Sequence, residues 1–194
     1  MRKGVLSMAP TAPGKSEDLV KSWIHKGTPV IILSSGIMHF IYAWTGKLTV
    51  VGIWAPVNES VWEHQKLAFL PILLWWIFVY LRLHKKQALL PEKWFFSCAV
   101  AELVCPVFII AFYYIKTGAF GIHSLLLDMA SLVLGVTLAQ YAALHIYRYA
   151  KAKRSDLGIA LFILALMMFV LILFTFEPPK VPLFMDSMTG GYGI

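Results

Sequence analysis

The chain has 194 residues, of which 59% are hydrophobic and only 14% are charged, with a net charge of +7. Soluble domains carry roughly 25% charged residues, so this composition, with a mean hydropathy of +0.73, excludes an ordinary water-soluble globule and points to burial in lipid. The positive charge flanks the apolar runs and forms no basic face of its own, which argues against nucleic acid as a partner and for the lipid bilayer.

In chain order, residues 1–26 form a tail with Arg2, Lys3, Lys15, Lys21 and Lys26 and without an apolar run of signal-peptide length. Ser16-Glu17-Asp18 reads as a helix start. Leu19, Val20, Trp23 and Ile24 share one face, predicting a short helix at the membrane surface. Thr28-Pro29 then opens the first of five apolar runs long enough to cross a bilayer, at 29–45, 60–83, 93–115, 122–149 and 157–176. Their length and lack of alternation exclude barrel strands. The predicted fold is an all-α integral membrane bundle of five transmembrane helices over residues 27–176, followed by a polar tail, 177–194. Between the first two spans, residues 48–55 are apolar but broken by glycine and proline and predict a segment at the membrane surface.

Thirteen of the seventeen Lys and Arg residues fall in the first tail, the second-to-third connection and the fourth-to-fifth connection. The positive-inside rule assigns that side to the cytoplasm, with the N-terminus in, the C-terminus out, and the chain a multi-pass protein of the plasma membrane. Cys98 and Cys105 lie seven residues apart on one span, about 10 Å along its axis, too far for a disulfide with each other.

Ionisable groups within spans are costly and mark working sites or helix-tying pairs. His39 and Asp128 each lie six residues below the expected outer end of their span, about 9 Å down at 1.5 Å per residue, and equal depth predicts a pair or a shared pocket. Glu102 sits mid-span, four residues before Pro106, which cannot donate to its carbonyl. The densest polar cluster is Asn58, Glu59, Ser60, Glu63, His64 and Lys66 at the outer start of the second span. Ser60 and Glu63 fit a capping box, which leaves Asn58, Glu59, His64 and Lys66 unexplained.

Asn58-Glu59-Ser60-x-Trp62-Glu63-His64-x-Lys66-Leu67, followed by Pro71, is similar to the signature of an uncharacterised bacterial integral membrane protein family of unknown function. So is the tail: Phe176-Glu177-Pro178-Pro179, then Pro182-Leu183-Phe184-x-Asp186, then Gly191-Tyr192-Gly193. The resemblance covers most of the chain from the first span onward and implies a membrane fold without implying an activity. Both motifs fall on the exterior side, and Phe184 and Tyr192 predict a tail folded back over the outer helix ends.

Two functions fit this layout. In the first, an exterior pocket binds a lipid or small molecule through Asn58, Glu59, Glu63, His64, Lys66 and Asp128, and the protein serves as a binding or transport module, a homo-oligomer or a subunit of a membrane complex. In the second, His39, His64, His123 and Asp128 hold a metal, zinc foremost, in a hydrolase of a lipid ester or amide. Such a site resembles membrane hydrolases of the alkaline-ceramidase type, but the paired His-x-x-x-His of those enzymes is absent, as are Gly-x-Ser-x-Gly and His-Glu-x-x-His. A bis-histidine haem fits less well, since only His39 lies well inside the outer half of the bilayer.

Overall fold

A computed structural model describes residues 13–87 and 89–194, with side chains 13–16, 86 and 87 left undescribed. Its helices are α1 (Pro13–Trp44), a short α2 (Thr49–Gly52), α3 (Gln65–Gln87), α4 (Pro91–Tyr114), α5 (Leu125–Tyr149) and α6 (Arg154–Phe176). Five of them, all but α2, are long and apolar enough to cross a membrane. Among the described residues there is no named strand, only an isolated bridge between Met185 and Tyr192. The helices α1, α3, α4 and α5 close a ring, each packing on its two neighbours, while α6 lies outside it against α4.

The surface helix expected before Pro29 is not separate. The first 32-residue helix runs straight through Pro29, and the expected cap at Ser16 falls on a side chain outside the described residues. The face expected to lie on the bilayer packs inward: Val20 and Ile24 are buried, and Trp23 meets Trp75 at 5.9 Å. Gly27 makes this possible, because a Cβ there would stand 2.2 Å from Trp75 Nε1 and 2.8 Å from Gln140 Nε2. Gln140 donates to the Ile24 carbonyl at 3.2 Å and accepts from Trp76 at 3.0 Å, tying α1, α3 and α5 together. Proline removes only one helical hydrogen bond, and the contacts around Gly27 hold the helix together across that gap.

Two other prolines have their defects met by named donors. Pro71 cannot donate to the Leu67 carbonyl, and the Ser35 hydroxyl of α1 donates there instead, at 2.5 Å. Pro179 leaves the Thr175 carbonyl at the end of α6 without its helical donor, and Ile194 N–H from the tail fills the position at 3.0 Å. Glycine is required beside it: Gly193 has φ +61°, and a Cβ there would lie 2.6 Å from that same carbonyl. The tail is therefore part of the fold. Its Leu183 carbonyl accepts from Trp62 N–H at 3.1 Å, and the buried Phe184 meets Trp62 and Phe174 at 5.0 and 5.1 Å.

Helix ends alternate between the two ends of the bundle. The connections 45–64 and 115–124 and the tail gather at one end, the cap end.

Candidate functional site at the cap end

The cap end holds two polar groupings of opposite character. The first is sealed. Glu63 and Lys66, 1% and 2% exposed, form an ion pair of 2.7 Å. The Lys66 ammonium spends its three protons on Glu63 Oε2, the Gly52 carbonyl at 2.7 Å and the Thr175 hydroxyl at 2.5 Å. Glu63 also accepts from Val57 N–H at 3.0 Å, and its other oxygen lies 3.1 Å from the Thr175 hydroxyl. Gly52 has to be glycine for the chain to fit here, since a Cβ would meet Val57 at 2.6 Å. Ser60 does cap Glu63 N–H at 3.1 Å, but the Glu63 carboxylate turns to Val57 and Lys66 rather than closing a capping box. This network joins α2, the start of α3 and the end of α6, and none of the three ammonium protons is left for a ligand.

The second grouping is open. His39 comes from α1, Glu59 from the 53–64 connection and His64 from the turn before α3. One ligand atom from each lies within 4.8 Å of the other two, and their side chains are 31%, 46% and 30% exposed. His64 Nε2 stands 3.3 Å from Glu59 Oε2, and His39 Nε2 stands 3.9 Å from Glu59 Oε1. The two imidazoles stack, with centroids 5.4 Å apart. His64 Nδ1 lies 2.8 Å from the Ser60 carbonyl, so it carries the proton there and leaves Nε2 to face Glu59. Nδ1 of His39 is buried without a hydrogen-bond partner.

Charge follows this geometry. The close approach of His64, aided by the nearby His39, holds the Glu59 carboxyl below its ordinary value against the opposing effects of burial and of Asp186. Burial alone would depress His64. Its bonds to Glu59 and Ser60 and the charges of Glu59 and Asp128 outweigh that and raise it.

Glu59 is placed by the tail. Its N–H donates to Asp186 Oδ1 at 3.3 Å, and its carbonyl accepts from the Ser187 hydroxyl at 3.2 Å. Asp186 is itself fixed by Met188 N–H at 3.0 Å and the Thr189 hydroxyl at 2.5 Å. Burial pushes Asp186 up, but these three donors together bring it below its ordinary value. Asn58 spans the same seam, accepting from Ser60 N–H at 3.0 Å and donating to the Gly193 carbonyl at 3.2 Å. The two motifs, more than a hundred residues apart in sequence, thus build one structure.

The other residues singled out in the sequence fall outside this trio. Asp128 does not pair with His39. It lies in the first turn of α5, shallower than the apolar run suggested, and binds Lys116 at 2.9 Å. Lys116 is carried there by a π-helical turn, Ile115–Ala119, that extends α4. His123 is exposed and is not among the three convergent residues. Glu102 is fully buried in α4 with no hydrogen-bond partner for either carboxylate oxygen, between the buried Cys98 and Cys105. Asp186, which stands in the tail motif, and Ser187 join the site through Glu59. The tail motif marks Asp186 in the sequence, but nothing there points to its contact with Glu59.

No curated protein and no solved structure matches the chain. A family model matches it from residue 14 to residue 194, nearly its whole length, including both motifs. The chain belongs to that family, DUF6512, a family of unknown function.

Proposed function

We propose that the protein is a multi-pass plasma-membrane protein that binds a divalent transition metal, zinc foremost, at its exterior face, and that the ion presents an open position to a small-molecule or lipid ligand. The observation that carries this reading is the convergence of His39 Nε2, Glu59 and His64 Nε2. Ligand atoms about 2.1 Å from a tetrahedral zinc stand about 3.4 Å from one another. His64 Nε2 to Glu59 Oε2, at 3.3 Å, is already close to that, and the three ligand atoms as a set lie within 4.8 Å of one another. The bond from His64 Nδ1 to the Ser60 carbonyl is the orienting contact that metal-bound imidazoles favour. His39 is the weaker ligand: metal on its Nε2 moves the ring proton to Nδ1, which is buried without an acceptor. The Lys and Arg bias supports placing this end outside.

Three protein ligands and one free position also suit a zinc-bound water, so hydrolysis of a lipid ester or amide stands as the second reading. Binding or transport takes precedence because Asp128 and Glu63, two carboxylates at this end besides Glu59, are both held in ion pairs with lysines. The test is zinc stoichiometry and affinity of the detergent-purified protein, measured by elemental analysis and competition with a chromophoric chelator. Wild type binds one zinc per chain. His64→Ala and Glu59→Gln fall well below one, while His123→Ala and Asp128→Asn stay at one. Absence of zinc binding by wild type, or full binding by His64→Ala, overturns the reading.

A further inference from the structure

Because α1 is continuous, it carries charge into the bundle. Gly27 sits against Trp75 of α3 and Gln140 of α5, and Gln140 is nine residues, about 14 Å at 1.5 Å per residue, inside the end of α5 at Tyr149. Lys26, beside Gly27, therefore stands within the length of the spans, in the half away from the cap, and it is exposed. Its ammonium lies 5.7 Å over the Trp23 ring. Trp23 packs on Trp75 at 5.9 Å and on Phe78 at 6.1 Å, and Phe78 is half-exposed, so three rings floor a groove between α1 and α3. Arg82, exposed and one turn beyond Phe78 on α3, stands at the other edge of that floor. Side chains lean toward the N-terminus of their own helix. Since α1 and α3 are antiparallel, Lys26 leans away from the cap and Arg82 toward it, and the two converge on the rings. The four ion pairs among the described residues all lie at the cap end and include neither of these cations. Glu17 and Asp18 are exposed and lie two turns or more further toward the start of α1. Unpaired charge among membrane spans is costly, and basic side chains between spans take anionic headgroups.

We propose that this groove holds an anionic phospholipid of the leaflet opposite the cap, with its phosphate between Lys26 and Arg82 and the upper part of an acyl chain over Trp23, Trp75 and Phe78. Charge decides the occupant. A zwitterionic lipid brings a quaternary ammonium along with its phosphate, and two cations repel it, whereas an anionic lipid offers them net negative charge. A partner helix would have to carry a carboxylate into the span, which is itself costly. A lipid phosphate instead reaches in from the headgroup layer, and the long stems of Lys and Arg meet it part way. The groove lies in the opposite half of the bundle from the metal-binding trio, and the assignment does not depend on that reading.

The experiment uses the full chain in phosphatidylcholine vesicles containing a few mole per cent of phosphatidylglycerol with a diazirine on one acyl chain, or of phosphatidylcholine with the same chain. After irradiation, adducts are mapped by mass spectrometry. Labelling of the peptide bearing Phe78 is expected to favour phosphatidylglycerol about fivefold or more, the factor one basic residue near an anionic surface contributes. Lys26→Gln and Arg82→Gln each reduce that preference and the double variant abolishes it, while Lys26→Arg keeps it. Phe162, 66% exposed on α6 and eight residues inside Arg154, reports the general attraction of a basic helix end, and its labelling does not respond to these substitutions. Both cations are exposed, so the variants keep the wild-type fold, checked by thermal unfolding; should the double variant lose it, the single variants carry the comparison. Equal labelling of the Phe78 peptide by the two lipids overturns the proposal, as does a preference that survives in the variants or falls equally at Phe162. Benzoylphenylalanine in place of Phe78, irradiated in intact cells, should give lipid adducts. A protein adduct in their place assigns the groove to a partner helix and likewise overturns the proposal.

Discussion

Replacing Lys66 by Met tests whether the sealed ion pair holds the cap together. Methionine keeps most of the unbranched stem and removes the ammonium. The Gly52 carbonyl and the Thr175 hydroxyl then lose their donor, and the Glu63 carboxylate remains 1% exposed with only Val57 N–H and Thr175 beside it. Removing one partner of a buried pair costs about 3–5 kcal/mol, chiefly because the surviving charge is stranded. For a chain of 150–250 residues, 1 kcal/mol corresponds to about 2–4 °C in Tm, so Lys66→Met should melt roughly 6–20 °C below wild type. Adding Glu63→Gln removes the stranded charge while keeping an acceptor for Val57 and Thr175. The double variant should therefore recover a large part of the loss, leaving about 1–3 kcal/mol for the orphaned Gly52 carbonyl. The assay is thermal unfolding in detergent of wild type, both single variants and the double, read as a double-mutant cycle. A Lys66→Met Tm within about 2 °C of wild type, or a double variant less stable than Lys66→Met, refutes the reasoning.

Three further predictions address the tail and the orientation. Asp186→Asn weakens one of the contacts that place Glu59 and should reduce zinc affinity about tenfold, the lower end of the effect of losing a partner behind a metal ligand; unchanged affinity in chelator competition would show that the tail does not position Glu59. Because the folded Asp186 carboxyl lies below its ordinary 3.8, its contribution to tail docking is complete above that value and is lost as pH falls through its own lower pKa. Limited proteolysis between Val181 and Ile194 should therefore rise only below about pH 4, and a rise already near pH 6 would assign the transition to histidine instead. In a background lacking Cys98 and Cys105, cysteine at Met188 should react with an impermeant thiol reagent on intact cells while cysteine at Lys151 should not; the reverse pattern would invert the membrane orientation.

The sequence alone determined the all-α architecture and its five spans, because apolar length is a one-dimensional property: about 20 residues of hydrocarbon-compatible side chain leave the backbone no alternative to a helix. It also set the two polar motifs at the same end of the bundle, where the structure joins them through Asn58, Glu59, Asp186 and Gly193, since an even number of spans between them can be counted without knowing any contact. Its errors came from depth and partners. Counting residues from the ends of apolar runs set His39 level with Asp128, yet α5 begins only at Leu125 and the π turn after α4 brings Lys116 to Asp128 first. The break expected at Pro29 was overridden by Gly27, whose missing side chain admits Trp75 and Gln140. Glu63 and Lys66 read as ligand groups because they are charged near the membrane surface; only the fold shows them walled in by Gly52 and Thr175. The opposite holds for His39 and Glu59, twenty residues apart with no spacing rule to connect them. Whether a charged side chain is sealed or open depends on which distant backbone and hydroxyl groups surround it, and those neighbours are set by helix packing and by the return of the tail, which no local pattern encodes.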